Sequence, residues 1–99
     1  MNTLILEHDP LATRLDFSED SFMVCLNDGR RITIPLAWYP RLHHATRDEL
    51  KNYQLIGGGE GIHWPKLDED ISVEALLSGR RSHETQSALK KWLQKRRKK

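Results

Sequence analysis

The chain is short of several things, and each shortage excludes a class of protein. Cys25 is the single cysteine among 99 residues. An internal disulfide and a cysteine-built zinc cage are therefore excluded. The thiol lies inside an apolar run, FMVCL, where it reads as a small packing residue rather than a nucleophile. No stretch approaches the roughly 20 apolar residues that a bilayer-spanning helix needs. The N-terminus, MNTLILEHDP, lacks a basic leader, and its apolar run stops after three residues. No secretory signal and no membrane association are expected, which makes the cytoplasm the expected compartment. There is no HExxH-type metal motif, and GGGEG lacks both the Lys-Ser/Thr of a phosphate loop and the GxGxxG context. No cofactor is expected.

Acids are missing from the last ten residues, KKWLQKRRKK, which carry seven Lys or Arg. The formal net charge of +2 therefore hides an acidic body of nine basic and fourteen acidic residues, a net of −5, followed by a basic tail.

What is present fits a small α+β domain over residues 1–80, with a basic helix or tail over 81–99. Residues 12–17 (ATRLDF) and 21–26 (SFMVCL) predict two strands joined by the turn residues SED. In the second, Phe22, Val24 and Leu26 share one face, and Met23 and Cys25 the other. Asn27-Asp28-Gly29 then predicts a tight hairpin, because glycine accepts positive φ without steric cost. The returning strand is RRITIPL, with Ile32, Ile34 and Leu36 in phase and Pro35 ending the ladder. This gives an antiparallel sheet of about three N-terminal strands.

Short helices are expected next, one around residues 37–44 and one over 47–52. The second opens on a capping box, Thr46 with Glu49. Residues 53–57 (YQLIG) suggest a strand, Gly57-Gly58-Gly59 a turn, and GIHWP an extended segment. Ser72 reads as the N-cap of the following helix, with Ile71 and Leu76 at hydrophobic-staple spacing. On this reading Asp68, Glu69, Asp70 and Glu74 favour the positive end of that helix, and Gly79 closes it. A last helix is expected to start at Ser82, with Glu84 in its first turn. Its apolar stripe is Ala88, Leu89, Trp92 and Leu93.

Three sets of residues invite a functional reading. His63 with Asp68, Glu69 and Asp70 offers metal ligands or an acid–base pair. Zinc, however, wants three or four converging groups at defined spacing, and acidic helix capping explains the same residues. His43 and His44 are adjacent, about 100° apart on a helix, and do not chelate easily. Trp38, Tyr39, Arg41 and Trp64 suit a partner-binding surface, since aromatics with arginine are common anchors. They are also the largest core fillers available, and packing is the preferred reading for Trp38 and Trp64. Arg41 is expected to pair with an acid of the 68–70 cluster and fix that loop. The tail residues Lys90, Lys91, Lys95, Arg96, Arg97, Lys98 and Lys99 suit phosphates or an acidic protein, or simply a solvated terminus. Trp92 favours a docked helix, because an aromatic on a polar terminus usually finds cover.

The order DGR, PLAWYPRL, AT, LIGGGEGIHWPKLDEDISVEALLSG resembles the bacterial domain-of-unknown-function family 2442 over about residues 10–80. The resemblance implies a small α+β domain with the sheet first and helices after it. It implies no enzyme activity, cofactor or catalytic set. It also implies a context: members are often encoded beside another small uncharacterised protein, in an arrangement that looks like a toxin–antitoxin pair. Some relatives carry a helix-turn-helix domain after the shared module. Here only 20 residues follow Gly79, too few for that unit.

The expected function is a non-enzymatic interaction module, the antitoxin-like half of a two-gene pair. It would occlude a small protein partner through a surface drawn from Trp38, Tyr39, Arg41, His63, Trp64, Asp68 and Asp70, with the acidic 68–70 loop or the basic tail supplying charge complementarity. The alternative is nucleic-acid binding through the basic helix, serving autoregulation. A small enzyme or metal site at His63 is a third and weaker reading. A homodimer through a sheet edge or the last helix is compatible with the sequence and not derivable from it.

Overall fold

The computed structural model describes residues 10–97. Two three-stranded antiparallel sheets share one core. The first holds β1 (Ala12–Phe17), β2 (Ser21–Leu26) and β3 (Arg31–Pro35), in that order. A 3-10 turn over Leu36–Trp38 leads to the short helices α1 (Pro40–His43) and α2 (Arg47–Lys51). The second sheet holds β4 (Gln54–Ile56), β5 (Gly61–Trp64) and β6 (Glu69–Ser72). Helix α3 (Val73–Leu77) follows directly, and α4 (Gln86–Arg97) closes the described chain.

The first sheet forms as its alternation dictates. Phe22, Val24 and Leu26 are buried, and so are Ile34 and Leu36. The β2–β3 loop closes with Leu26 N–H donating to the Arg30 carbonyl at 2.8 Å, and Gly29 takes φ +94°. Strand β1 carries an irregularity between Ala12 and Arg14, which lets both Ala12 and Leu15 face the core.

The capping box is present. Thr46 Oγ1 accepts from Glu49 N–H at 3.2 Å, and Glu49 Oε1 accepts from Thr46 N–H at 2.8 Å. Pro40 sits at the start of α1, where its missing N–H costs nothing.

Trp64 is the centre of the core. It is fully buried, meets Phe22 edge-on at 6.2 Å, and donates its indole N–H to the Leu50 carbonyl at 2.9 Å. The two sheets are tied where Ala12 N–H donates to the Gly59 carbonyl at 2.8 Å, and where the Tyr53 hydroxyl accepts from Leu15 N–H at 3.0 Å. Gly59 is required there: at φ +116°, a Cβ would stand 2.5 Å from the Ala12 carbonyl oxygen.

Two expectations need correction. Residues 69–72 are not a helix approach but a strand, β6, pairing His63 with Asp70 and Trp64 with Glu69. Glu69 and Asp70 therefore lie along a sheet edge, with Asp68 in the turn before it. Ser72 still caps α3, accepting from Ala75 N–H at 3.0 Å, and Gly79 takes φ +76° after it. The last helix starts later than Ser82. Thr85 Oγ1 accepts from Ala88 N–H at 3.1 Å, while Ser82 Oγ forms a local turn with Glu84 N–H.

Candidate functional site

The pairing of β5 with β6 decides what β6 offers to a partner. Val73 N–H donates to the Glu60 carbonyl at 2.9 Å. In an antiparallel ladder, bonded and unbonded pairs alternate. The pairs 60–73, 62–71 and 64–69 therefore exchange hydrogen bonds, and 61–72 and 63–70 do not. Among the described residues, strand β6 is a sheet edge. Both backbone groups of Asp70 and the amide of Ser72 thus point away from the sheet, toward an open edge.

Side chains directly opposite one another share a face. Ile62, Ile71, Trp64 and Glu69 are consequently on the core face, and His63 and Asp70 on the outer face. This explains Glu69, which the sequence places beside a helix dipole or among candidate ligands with His63, not on a core face. Its carboxyl is half-buried and makes no hydrogen bond among the described residues. Burial pushes it up to about 7; Arg41 pulls it down, while Glu84, Asp70 and Asp68 push it further up. Had residues 69–72 been read as a strand in phase with Ile71, Glu69 would have stood out as the acid on the wrong face.

A groove of about 530 Å³ lies between β6 and the extended segment Arg80–His83. Tyr39, Glu69, Ile71 and Ala75 line it, together with Ile56, which is 44 % exposed. Tyr39 is buried, and its hydroxyl donates to the Arg80 carbonyl at 2.7 Å. Trp38 is half-buried beneath the Arg81 guanidinium, 4.5 Å from its ring centroid, and its carbonyl accepts from Ser82 N–H at 3.1 Å. The 80–83 wall is thus held in place by two aromatic residues of the WYPRL stretch.

Arg41 does fix the 67–68 loop, chiefly through backbone oxygens. It donates to the carbonyls of Leu67 at 3.3 Å and Asp68 at 2.9 Å, while the Asp68 carboxylate stands 3.7 Å away and is almost fully exposed. Its main acidic partner is Glu84, gripped by two hydrogen bonds of 2.7 and 2.9 Å. Asp68 adopts φ +54°, a turn conformation that a short polar side chain tolerates.

His63 Nδ1 and Asp70 Oδ1 are 2.5 Å apart on the outer face. Among the described residues, no group of three His, Cys, Asp or Glu side chains is arranged to hold a metal ion. Trp64, offered by the sequence as a partner contact, is sealed in the core and reaches no surface.

Helix α4 is clasped to the body. Trp92 packs against the core cluster and donates its indole N–H to the Leu67 carbonyl at 3.0 Å. Arg41 and Arg96 both stand over its ring, at 5.4 and 4.7 Å. Arg96 forms a two-pronged pair with Glu49, both bonds 2.9 Å. Of the basic candidates, Arg96 is therefore committed internally. Lys90, Lys91 and Lys95 are exposed. Arg97 ends the helix, and Lys98 and Lys99 lie outside the described residues.

This arrangement places the chain in a class before it suggests a role: a small α+β module carrying an open-edged second sheet and an appended helix. The chain belongs to the family "Protein of unknown function (DUF2442)", which matches residues 12–82 and so ends before α4. Two solved structures are similar. One is the crystal structure of a protein of unknown function from Rhodospirillum rubrum, 26 % identical, with TM-score 0.68, covering 83 % of this chain and 99 % of that one. The other is the solution structure of an uncharacterized protein from Chromobacterium violaceum, 23 % identical, with TM-score 0.65, covering 81 % of this chain and 74 % of that one; it bears on fold alone. No curated protein matches the chain. No helix among the described residues is long and apolar enough to cross a membrane.

Proposed function

We propose that this protein is a non-enzymatic interaction module that receives an extended segment of a small protein partner along β6. The observation that carries the reading is the open edge at Asp70, facing a groove already walled on its far side. An incoming strand would bond to the Asp70 amide and carbonyl and to the Ser72 amide, and would set its side chains against the groove lining at Glu69 and Ala75. Backbone bonds of this kind supply affinity, and the half-buried Glu69 supplies selectivity. The context implied by the family resemblance favours a partner encoded beside this chain, with this chain as the antitoxin-like half that occludes it.

The test is a pull-down of the tagged protein from its own cells, with Asp70→Ala and Asp70→Pro in parallel. Residue 70 is an unbonded position toward β5, so proline there leaves the ladder bonds intact and, relative to alanine, removes only the outward N–H. The proposal expects one small protein to be retained by the parent and by Asp70→Ala, and lost with Asp70→Pro. Equal capture by both variants would remove β6 as the contact.

A further inference from the structure

The exposed face of α4 differs in kind from the groove. Ser87, Lys90, Lys91, Gln94 and Lys95 are all exposed. Helical geometry puts them together, with Lys91 and Lys95 one turn apart, about 6 Å along the axis. Two acids close to α4 are already paired: Glu49 holds Arg96 and Glu84 holds Arg41. No carboxylate among the described residues forms an ion pair with Lys90, Lys91 or Lys95. There is no acid in α4. The result is an uncompensated positive ridge on an ordered, anchored helix.

Three kinds of anionic partner compete for such a ridge. A protein interface needs an apolar or aromatic anchor at its centre, and this face has none. Insertion into a membrane interface needs a free apolar helix face, but the apolar side of α4 carries Trp92, which is packed against the body. A nucleic-acid backbone needs neither. It asks for lysines at the surface, with hydroxyl and amide side chains to complete the phosphate contacts. We infer that the Lys90–Lys91–Lys95 ridge of α4 is a phosphate-backbone contact surface for duplex nucleic acid, without base readout. The ridge lies outside the region matched by the family and does not rest on the β6 groove.

The full-length protein is titrated onto a short duplex DNA of arbitrary sequence at several salt concentrations. Lys90→Gln/Lys91→Gln/Lys95→Gln is run alongside, and polyglutamate serves as competitor. All three sites are exposed, so an unchanged thermal midpoint certifies the variant's fold. Three phosphate contacts predict a log–log salt slope near −2.7, about a 40-fold loss of affinity from about 50 to about 200 mM salt. The triple variant should lose binding or fall to a slope shallower than about −1. Three outcomes would overturn the inference: no binding at low salt, undiminished binding by the variant, or polyglutamate competing as well as DNA at equal charge. The last would make the ridge an acidic-protein surface.

Discussion

Arg41 and Glu84, 43 positions apart, are joined by a two-pronged pair of 2.7 and 2.9 Å in which the Glu84 side chain is only 7 % exposed. The remaining guanidinium nitrogen reaches back to the Leu67 and Asp68 carbonyls. One residue thus fastens α1, the turn before β6, and the segment leading to α4. Arg41→Ala leaves Glu84 without its partner and should cost about 2–4 kcal/mol in urea denaturation. Arg41→Lys should recover little of it, since a point charge cannot make the fork. An Arg41→Ala protein as stable as the parent would refute this role.

The second fastening, Glu49 with Arg96, should respond to acid. Hydrogen bonding from Arg96 holds the Glu49 carboxyl down at about 2, against an ordinary value of 4.5. A group with a lowered folded value contributes fully above its unfolded value and loses that contribution as pH falls through the folded one. Helix α4 should therefore loosen as pH drops from about 4.5 toward about 2. Amide exchange over residues 86–97 reads this directly. In Arg96→Ala the same amides should already exchange faster at neutral pH, and their acid response should flatten.

Glu69 should act in the opposite sense. Its folded value of about 7 lies above the ordinary 4.5, so the native state holds the proton more tightly than the unfolded chain. Stability then falls as pH rises from about 4.5 through about 7, and the cost persists above that. Glu69→Gln should stabilise the protein at about pH 8 by about 1 kcal/mol, after discounting for the group's partial exposure, and change little near pH 4. A Gln variant less stable than the parent at pH 8 would show that the carboxylate has a partner in solution.

Gly59→Ala tests the junction of the two sheets. The added methyl meets the Ala12 carbonyl at 2.5 Å, and the backbone φ of +116° is one that alanine avoids. A loss of at least about 2 kcal/mol is expected, by the penalty for strained backbone together with the lost Ala12–Gly59 bond. Gly58→Ala should cost less, because a Cβ there meets nothing within 4 Å.

The parts of the fold that read well from sequence are local. Alternation placed Phe22, Val24 and Ile34 in the core, and the Thr46–Glu49 box and the Ser72 and Gly79 helix ends follow from residues within one turn of each other. Strand β6 did not read, because Asp68-Glu69-Asp70 are poor strand formers and suit a helix start equally well. Pairing with GIHW overrides that preference, and the edge position lets the acids reach water. With β6 went the placement of Glu69 and of the Asp70 edge, which is most of the candidate site. The Arg41–Glu84 and Glu49–Arg96 pairs span 43 and 47 positions, and no short-range pattern announces them.

Strand addition at the open edge of β6 is read by amide hydrogen exchange with and without the captured partner. The amides of Asp70 and Ser72 face outward in the free protein, so they should exchange quickly alone and become protected in the complex. The already bonded amides of Ile71 and Val73 should change little. Protection confined to α4 or to the first sheet, with Asp70 and Ser72 unchanged, would contradict strand addition at β6.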